Sequence, residues 1–135
     1  EAYVLDVIYT KEPMEKTERM VAEAIYKHRP IQARIEANHG ATAFPRAIGR
    51  ILHDEYKYNF TKINYFYQRK NKQARILTNA TWIMDHVYFP VNWKDRWPEY
   101  YKAMTTYQRE GKNAHDDAPD ATTGVAETMY LLGAQ

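Results

Sequence analysis

The chain has 135 residues, no cysteine and a formal net charge of +2 at pH 7, the size of one domain that can bury about 70% of its unfolded surface without disulfides or a structural metal. With serine also missing, the usual serine and thiol nucleophiles and zinc-finger chemistry are excluded. No apolar run approaches the ~18 residues of a membrane span and the first residues are unlike a signal peptide, so the sequence reads as soluble and cytoplasmic.

Ala2 to Thr10 is rich in β-branched and aromatic residues and stops at Lys11-Glu12-Pro13, which predicts a first strand. Thr10 or Glu12 is placed to cap a helix that Pro13 opens. Met14, Thr17, Met20, Val21, Ala24 and Ile25 then recur at helical spacing until His28-Arg29-Pro30. Ile31 to Ala37 alternates as a second strand, with Ile31, Ala33 and Ile35 on one face and Gln32, Arg34 and Glu36 on the other. The Asn38-His39-Gly40 turn leads into a helix over Ala41 to Glu55 with Pro45 in its first turn. A third strand over Asn64 to Gln68 precedes a polar turn and a short helix starting near Lys72, and Val87-Tyr88-Phe89-Pro90 is a brief extended segment. Pro98 marks a helix start within Trp93 to Tyr107, where Trp97, Tyr100, Tyr101 and Met104 form an apolar stripe. After a polar loop, Glu110 to Ala114, the last helix covers Ala118 to Leu132 with Ala121, Val125, Met129 and Leu132 on one side. Strands alternating with helices predict a single α/β layered domain.

The small net charge hides an asymmetry. From Tyr56 to Met84 the chain carries Lys57, Lys62, Arg69, Lys70, Lys72 and Arg75 and no acid, whereas from Glu110 onward five acids face only Lys112. The basic segment is interleaved with Tyr56, Tyr58, Phe60, Tyr65, Phe66 and Tyr67. That composition leaves two readings open: a surface for a polyanion, or a solvated face beside an aromatic core.

His115-Asp116-Asp117-Ala118-Pro119-Asp120-Ala121 is the most informative stretch, because Pro119 suits a helix N-terminus and sets Asp117 and Asp120 on one face. Two carboxylates so placed repel unless a positive charge lies between them, and a hard cation such as Mg2+ or Mn2+ meets that need. The plainer alternative is that Asp116 or Asp117 caps the helix and Asp120 favours its positive end, at ~0.5–1 kcal/mol each. Glu36 closes the second strand beside a strand-to-helix turn, where α/β folds gather ligands. An acid there together with an acidic pair opening a later helix is the layout of a two-metal site, although an ion pair with Arg34 or a lysine also accounts for Glu36. His115 adjoins the acids and could orient water or meet a phosphate. Gly40 and Gly49 are isolated, so a phosphate-cradling loop for ATP is excluded.

Four segments taken in order, Ala33-Arg34-Ile35-Glu36-Ala37-Asn38, Asn71-Lys72-Gln73-Ala74-Arg75-Ile76, Val87-Tyr88-Phe89-Pro90 and His115 to Ala121, resemble the C-terminal nuclease domain of tailed-bacteriophage terminase large subunits. The resemblance implies an RNase H-like mixed sheet flanked by helices. It also implies an endonuclease that cuts concatemeric double-stranded DNA with two divalent ions, Mg2+ or Mn2+, in the host bacterial cytoplasm. It would make Glu36, Asp117 and Asp120 catalytic metal ligands, with His115 and Asp116 accessory. Lys72 and Arg75 match the family's lysine-arginine pair and are expected to hold phosphate backbone or to orient the site, with Arg69 and Lys70 as further DNA contacts. An N-terminal ATPase domain of the same protein, a small terminase subunit and a portal are the implied partners. A Holliday-junction resolvase or transposase-like nuclease fits the same acids, as does a non-catalytic DNA-binding or assembly module in which they only cap a helix.

One departure matters. The family's domain begins with two antiparallel strands, the first bearing an Asp that bridges both metals, and this chain opens at what would be the third. Asp6 lies on that later strand and is expected to be structural or solvent-facing. By this reading the chain lacks the first two strands, binds metal poorly and cleaves little, and a homodimer through the open sheet edge is expected.

Overall fold

The computed structural model describes residues 1–37, 41–113 and 115–133; the predicted Asn38-His39-Gly40 turn and Ala114 of the predicted polar loop lie outside them. Among the described residues the order is β1 (Ala2–Tyr3), α1 (Met14–His28), β2 (Gln32–Glu36), α2 (Ala43–Asp54), β3 (Lys62–Phe66), α3 (Lys72–His86), β4 (Val87–Tyr88), α4 (Trp93–Arg96), α5 (Pro98–Thr105) and α6 (Asp117–Gly133). The strands form two parallel pairs, β2 with β3 and β1 with β4, so antiparallel members of a mixed sheet are not among the described strands. The chain groups into two compact units, Thr10–Arg69 and Glu1–Tyr9 with Lys70–Gln135. Among the described residues no helix is long and apolar enough to cross a membrane.

In the Thr10–Arg69 unit, α1 buries Ala22 and Ile25 against Ile48 and Leu52 of α2 and against Tyr58, while Ala33, Ile35 and Ile63 bring the strands onto the same cluster. Pro13 stands at the N-cap of α1 without a side-chain cap, so neither Thr10 nor Glu12 has the predicted role. Thr10 Oγ1 instead accepts the Glu12 amide at 3.1 Å, a local bond that competes with capping. The helix ends at Arg29, whose φ of 50° is left-handed; its guanidinium lies over the rings of Tyr26 and Tyr58, at 4.8 and 5.2 Å, which offsets the backbone strain. The β2 ladder runs from Gln32 opposite Lys62 to Glu36 opposite Phe66, and Ile31 O and Ala37 N extend it at both ends, as the alternation predicted. β3 begins at Lys62 rather than Asn64 because Thr61 pins its entry: the Thr61 hydroxyl donates to the Pro30 carbonyl at 2.6 Å and meets the Tyr58 hydroxyl at 2.6 Å.

In the other unit, β1 is far shorter than the predicted Ala2 to Thr10. Only Ala2 and Tyr3 pair with Val87 and Tyr88, followed by one bond from the Val4 amide to the Tyr88 carbonyl. The partner strand stops before Pro90, which has no N–H to offer, and exposed Asp6 turns its carboxylate onto the Val7 amide at 2.9 Å. The helix from Lys72 is long, not short, and is capped by Asn71 Oδ1 accepting the Ala74 amide at 2.9 Å. The predicted Trp93 to Tyr107 helix is broken into α4 and α5 at Trp97, whose φ of −134° and ψ of 68° follow from the exclusion of helical geometry before Pro98. Tyr100, Ala103 and Ala118 form one small core with Val7, Tyr9, Trp93 and Trp97 packed on it, and Ile83, Val87 and Ala126 form another.

The face of α6 differs most from expectation. Its buried residues are Ala118, Pro119, Thr122, Thr123 and Ala126, whereas Val125 and Leu132 of the predicted stripe are 37% and 49% exposed and Ala121 is exposed. Small side chains let α6 lie close to α3 and α5. The Thr122 hydroxyl satisfies itself inside, on the Ala118 carbonyl at 2.8 Å and the Tyr100 hydroxyl at 2.6 Å, so a polar residue is buried without penalty.

Candidate functional site

The acids of the last motif and the cations of the third meet where α3 packs on α6. Asn71 opens α3 and places Lys72 and Arg75 on its first turn, facing the start of α6. Asp116 precedes α6, and its carbonyl accepts the Asp120 amide at 2.9 Å, setting the first turn. Pro119 sits in that turn, where no amide is needed. The loop before it is held by a two-way link, Gln108 amide to Asn113 Oδ1 at 2.7 Å and Asn113 Nδ2 to the Gln108 carbonyl at 2.9 Å. Gly111 supplies the left-handed residue of that loop, with φ of 84°.

Three carboxylates surround one ammonium. Lys72 Nζ lies 3.4 Å from Asp116 Oδ1, 3.5 Å from Asp117 Oδ1 and 3.6 Å from Asp120 Oδ2. Burial works against the Lys72 charge, but Asp116, Asp120 and Asp117 outweigh it and its pKa is raised. Asp117 is the most exposed of the three and Asp120 the least, at 84% and 13% of the side chain.

Arg75 is the buried partner, with its side chain 6% exposed. Its Nη1 donates to Asp120 Oδ1 at 2.6 Å, while Nε and Nη2 grip Glu127 at 3.2 and 2.6 Å. Its pKa is raised, first by the hydrogen bonds to Glu127 and then, against burial, by Asp120. Two phenols feel these charges: burial raises the pKa of both Tyr9 and Tyr107, Asp117, Glu99 and Asp116 raise that of Tyr9 further, and Asp116 and Asp120 do so for Tyr107 against Lys72.

The structure thus brings together Lys72, Arg75, Asp116, Asp117 and Asp120 and adds Glu127, Tyr9 and Tyr107. Sequence reasoning missed these three; for Glu127 the signal was its place two turns beyond Asp120 on the same helix face. His115 is exposed beside Asp116, and Lys70 is exposed just before α3. Glu36 and Arg69 belong to the other unit. There Glu36 is the half-buried last residue of β2, opposite Phe66, and the neighbouring Arg34 guanidinium lies 4.1 Å from the Phe66 ring centre. The aromatics of the basic segment divide between both composition-based readings: Tyr58 is core and Tyr56 stacks on Tyr26, while Phe60, Tyr65 and Tyr67 are 65%, 46% and 46% exposed.

Hard carboxylate oxygens are the donors that Mg2+ or Mn2+ takes, so the chemistry of Asp116, Asp117 and Asp120 suits a divalent ion. In the present arrangement they enclose the ammonium, and among the described residues no three His, Asp or Glu side chains converge closely enough to hold a metal. A divalent ion at this corner therefore requires Lys72 to give up its central place.

No curated protein and no solved structure matches the chain. A family model described as the Terminase RNaseH-like domain matches residues 3–126, a span that takes in Glu36, Lys72, Arg75 and all three aspartates. The chain belongs to the terminase RNaseH-like domain family, whose members are nuclease-type modules of a terminase.

Proposed function

We propose that this chain is the metal-dependent endonuclease part of a viral DNA-packaging terminase and acts on phosphodiester bonds of concatemeric double-stranded DNA. The observation that carries the reading is the gathering of Asp116, Asp117 and Asp120 around a single positive charge in a chain of this family. Asp117 and Asp120 are the proposed metal ligands, Glu36 a further acid implied by the resemblance, and Asp116 and His115 accessory. Two Mg2+ or Mn2+ ions, when bound, supply an activated water and stabilisation of the leaving oxygen. The chain's own residues do the rest. Lys72 relieves repulsion among the aspartates until a divalent ion takes its central place, and buried Arg75 orients Asp120 rather than reaching DNA. Arg69 and Lys70 are the proposed contacts to the phosphate backbone, where contacts position without reading sequence. An ATPase domain of the same protein, a small terminase subunit and a portal are the partners this function calls for, in the host bacterial cytoplasm.

The test compares plasmid cleavage, with Mg2+ or Mn2+, by a chain extended upstream by about thirty residues, room for two strands and their turns, and by its Glu36→Ala and Asp117→Ala variants. Cleavage is expected in the extended chain, little in the present one, and none in either variant. Cleavage that survives both substitutions overturns the ligand assignment. Preference for branched over linear DNA points to a resolvase-like enzyme, and failure of the extended chain to bind metal points to a non-catalytic assembly module.

A further inference from the structure

A guanidinium and a carboxylate left to themselves pair as a fork, with two parallel N–H···O bonds that use both carboxylate oxygens. Arg75 and Asp120 do not pair that way. The Nε and Nη2 edge of Arg75 is spent on Glu127, at 3.2 and 2.6 Å, and only Nη1 reaches Asp120, through Oδ1 at 2.6 Å. The other oxygen, Asp120 Oδ2, faces the Lys72 ammonium at 3.6 Å. All three members are shielded, with side-chain exposures of 6% for Arg75, 13% for Asp120 and 25% for Glu127. In such a setting a charged pair is held firmly and a missing partner is felt strongly.

We propose that Glu127 is a positioning residue: by holding Arg75 along one edge it limits the guanidinium to a single bond with Asp120 and keeps Asp120 Oδ2 presented to a cation. Without Glu127 the freed edge of Arg75 closes on Asp120 as a fork and withdraws Oδ2. Glu127 also cancels the Arg75 charge, which would otherwise lower the attraction of the corner for a divalent ion. The two effects are separable, because a lysine in place of Arg75 keeps the positive charge but cannot form the fork. The inference rests on the metal-binding reading above.

The experiment titrates Mn2+ alone into the wild-type chain, Glu127→Gln and the double variant Arg75→Lys/Glu127→Gln, which has the same net charge as Glu127→Gln, with circular dichroism as the check on folding. Positioning predicts binding about tenfold weaker in Glu127→Gln, the scale of loss seen when outer partners of metal ligands are removed, and recovery in Arg75→Lys/Glu127→Gln, where no fork can form. Wild-type affinity in Glu127→Gln overturns the proposal, and so does binding that stays equally weak in a folded Arg75→Lys/Glu127→Gln, since charge alone then explains Glu127. A second readout is independent of metal. The Arg75 guanidinium nitrogens in a 15N spectrum should show resolved, slowly rotating Nη groups in the wild type, and in Glu127→Gln groups that stay resolved but shift as their partner changes from Glu127 to Asp120. A freely rotating wild-type guanidinium overturns the proposal whatever the metal result. If no Mn2+ binds the wild type, nor the upstream-extended chain, while the Arg75 signals behave as predicted, the metal reading fails and the grip of Glu127 on Arg75 stands.

Discussion

Two arginine-glutamate pairs, one in each unit, have almost the same length and opposite surroundings. Arg19 meets Glu55 at 2.8 Å with 65% and 49% of the side chains exposed, whereas Arg75 meets Glu127 at 2.6 Å with 6% and 25% exposed. In the Thr10–Arg69 unit the helices are joined by an apolar seam, Ala22 and Ile25 against Ile48 and Leu52, and the ion pair merely lies over it. Where α3 packs on α6, buried charge lies in the helix interface, together with the small cluster of Ile83 and Ala126. Distance therefore says little about what a pair does. Water screens the first, while the second is bound to its site by the desolvation it has already undergone.

The sharpest way to break this comparison is to remove Arg75. Arg75→Met leaves Asp120 and Glu127 half-shielded without their shared partner, and breaking a buried ion network in this way costs about 3–5 kcal/mol. Urea unfolding should register the loss as a lower midpoint. Restoring balance with Glu127→Met should recover much of it, because an apolar replacement of a whole buried pair is often tolerated. In the other unit the corresponding weak point is apolar. Ile48 is fully buried, so Ile48→Ala should destabilise by about 2–5 kcal/mol, through lost transfer energy and a cavity. An Arg75→Met effect as small as that of an exposed pair would show that the α3–α6 interface does not depend on its charges.

Much of the architecture was legible in the sequence, and the misses share a cause. Periodicity located α1 and the β2 ladder because their inward faces are apolar, whereas the helix from Lys72, which buries Arg75 beside Ile76 and Ile83, was legible only as a short one. The same rule chose Val125 and Leu132 for the face of α6, which in fact buries Thr122 and Thr123. Hydropathy cannot register a threonine whose hydroxyl is satisfied by its own helix and by Tyr100. The strand at Ala2 to Thr10 was overextended because propensity sees no partner, and its partner ends before Pro90. At the site, the charged residues were found by motif but their wiring was not. Lys72 and Arg75 looked alike in a basic segment. One proves to be an ammonium among three aspartates and the other a buried guanidinium shared by Asp120 and Glu127. Glu36 was read from its strand-end position, and the structure bears out that position at the end of β2.

Alkaline titration sharpens the contrast at a smaller scale. The pKa of Lys72 is raised in the folded chain above its ordinary value of 10.5, so its contribution is whole below about pH 10.5 and is lost as pH climbs through the folded value. The raised phenols of Tyr9, Tyr100 and Tyr107 act in the same direction from about pH 10.0 upward, since the native state keeps protons that the unfolded chain has released. Stability should therefore fall above pH 10, and Lys72→Met should flatten the part of that decline that lies above about 10.5. An unchanged slope would mean that the three aspartates do not hold the ammonium in solution.

The smallest effect is expected at the exposed pair. Arg19 and Glu55 bring α1 and the end of α2 together across the surface, but water competes for both groups and ordering two long side chains offsets part of the attraction. Arg19→Ala should change stability by no more than about 0.2–1 kcal/mol. Whatever remains should vanish in 1 M salt, where the screening length falls to about 3 Å. The shielded Arg75 network has no such access to counterions, so the deficit of Arg75→Met should persist at the same salt concentration. A double-mutant cycle on Arg19 and Glu55 at low and high salt measures the first directly. A coupling above about 2 kcal/mol that survives 1 M salt would contradict the screening argument, and the contrast between the two pairs would then lie in geometry rather than burial.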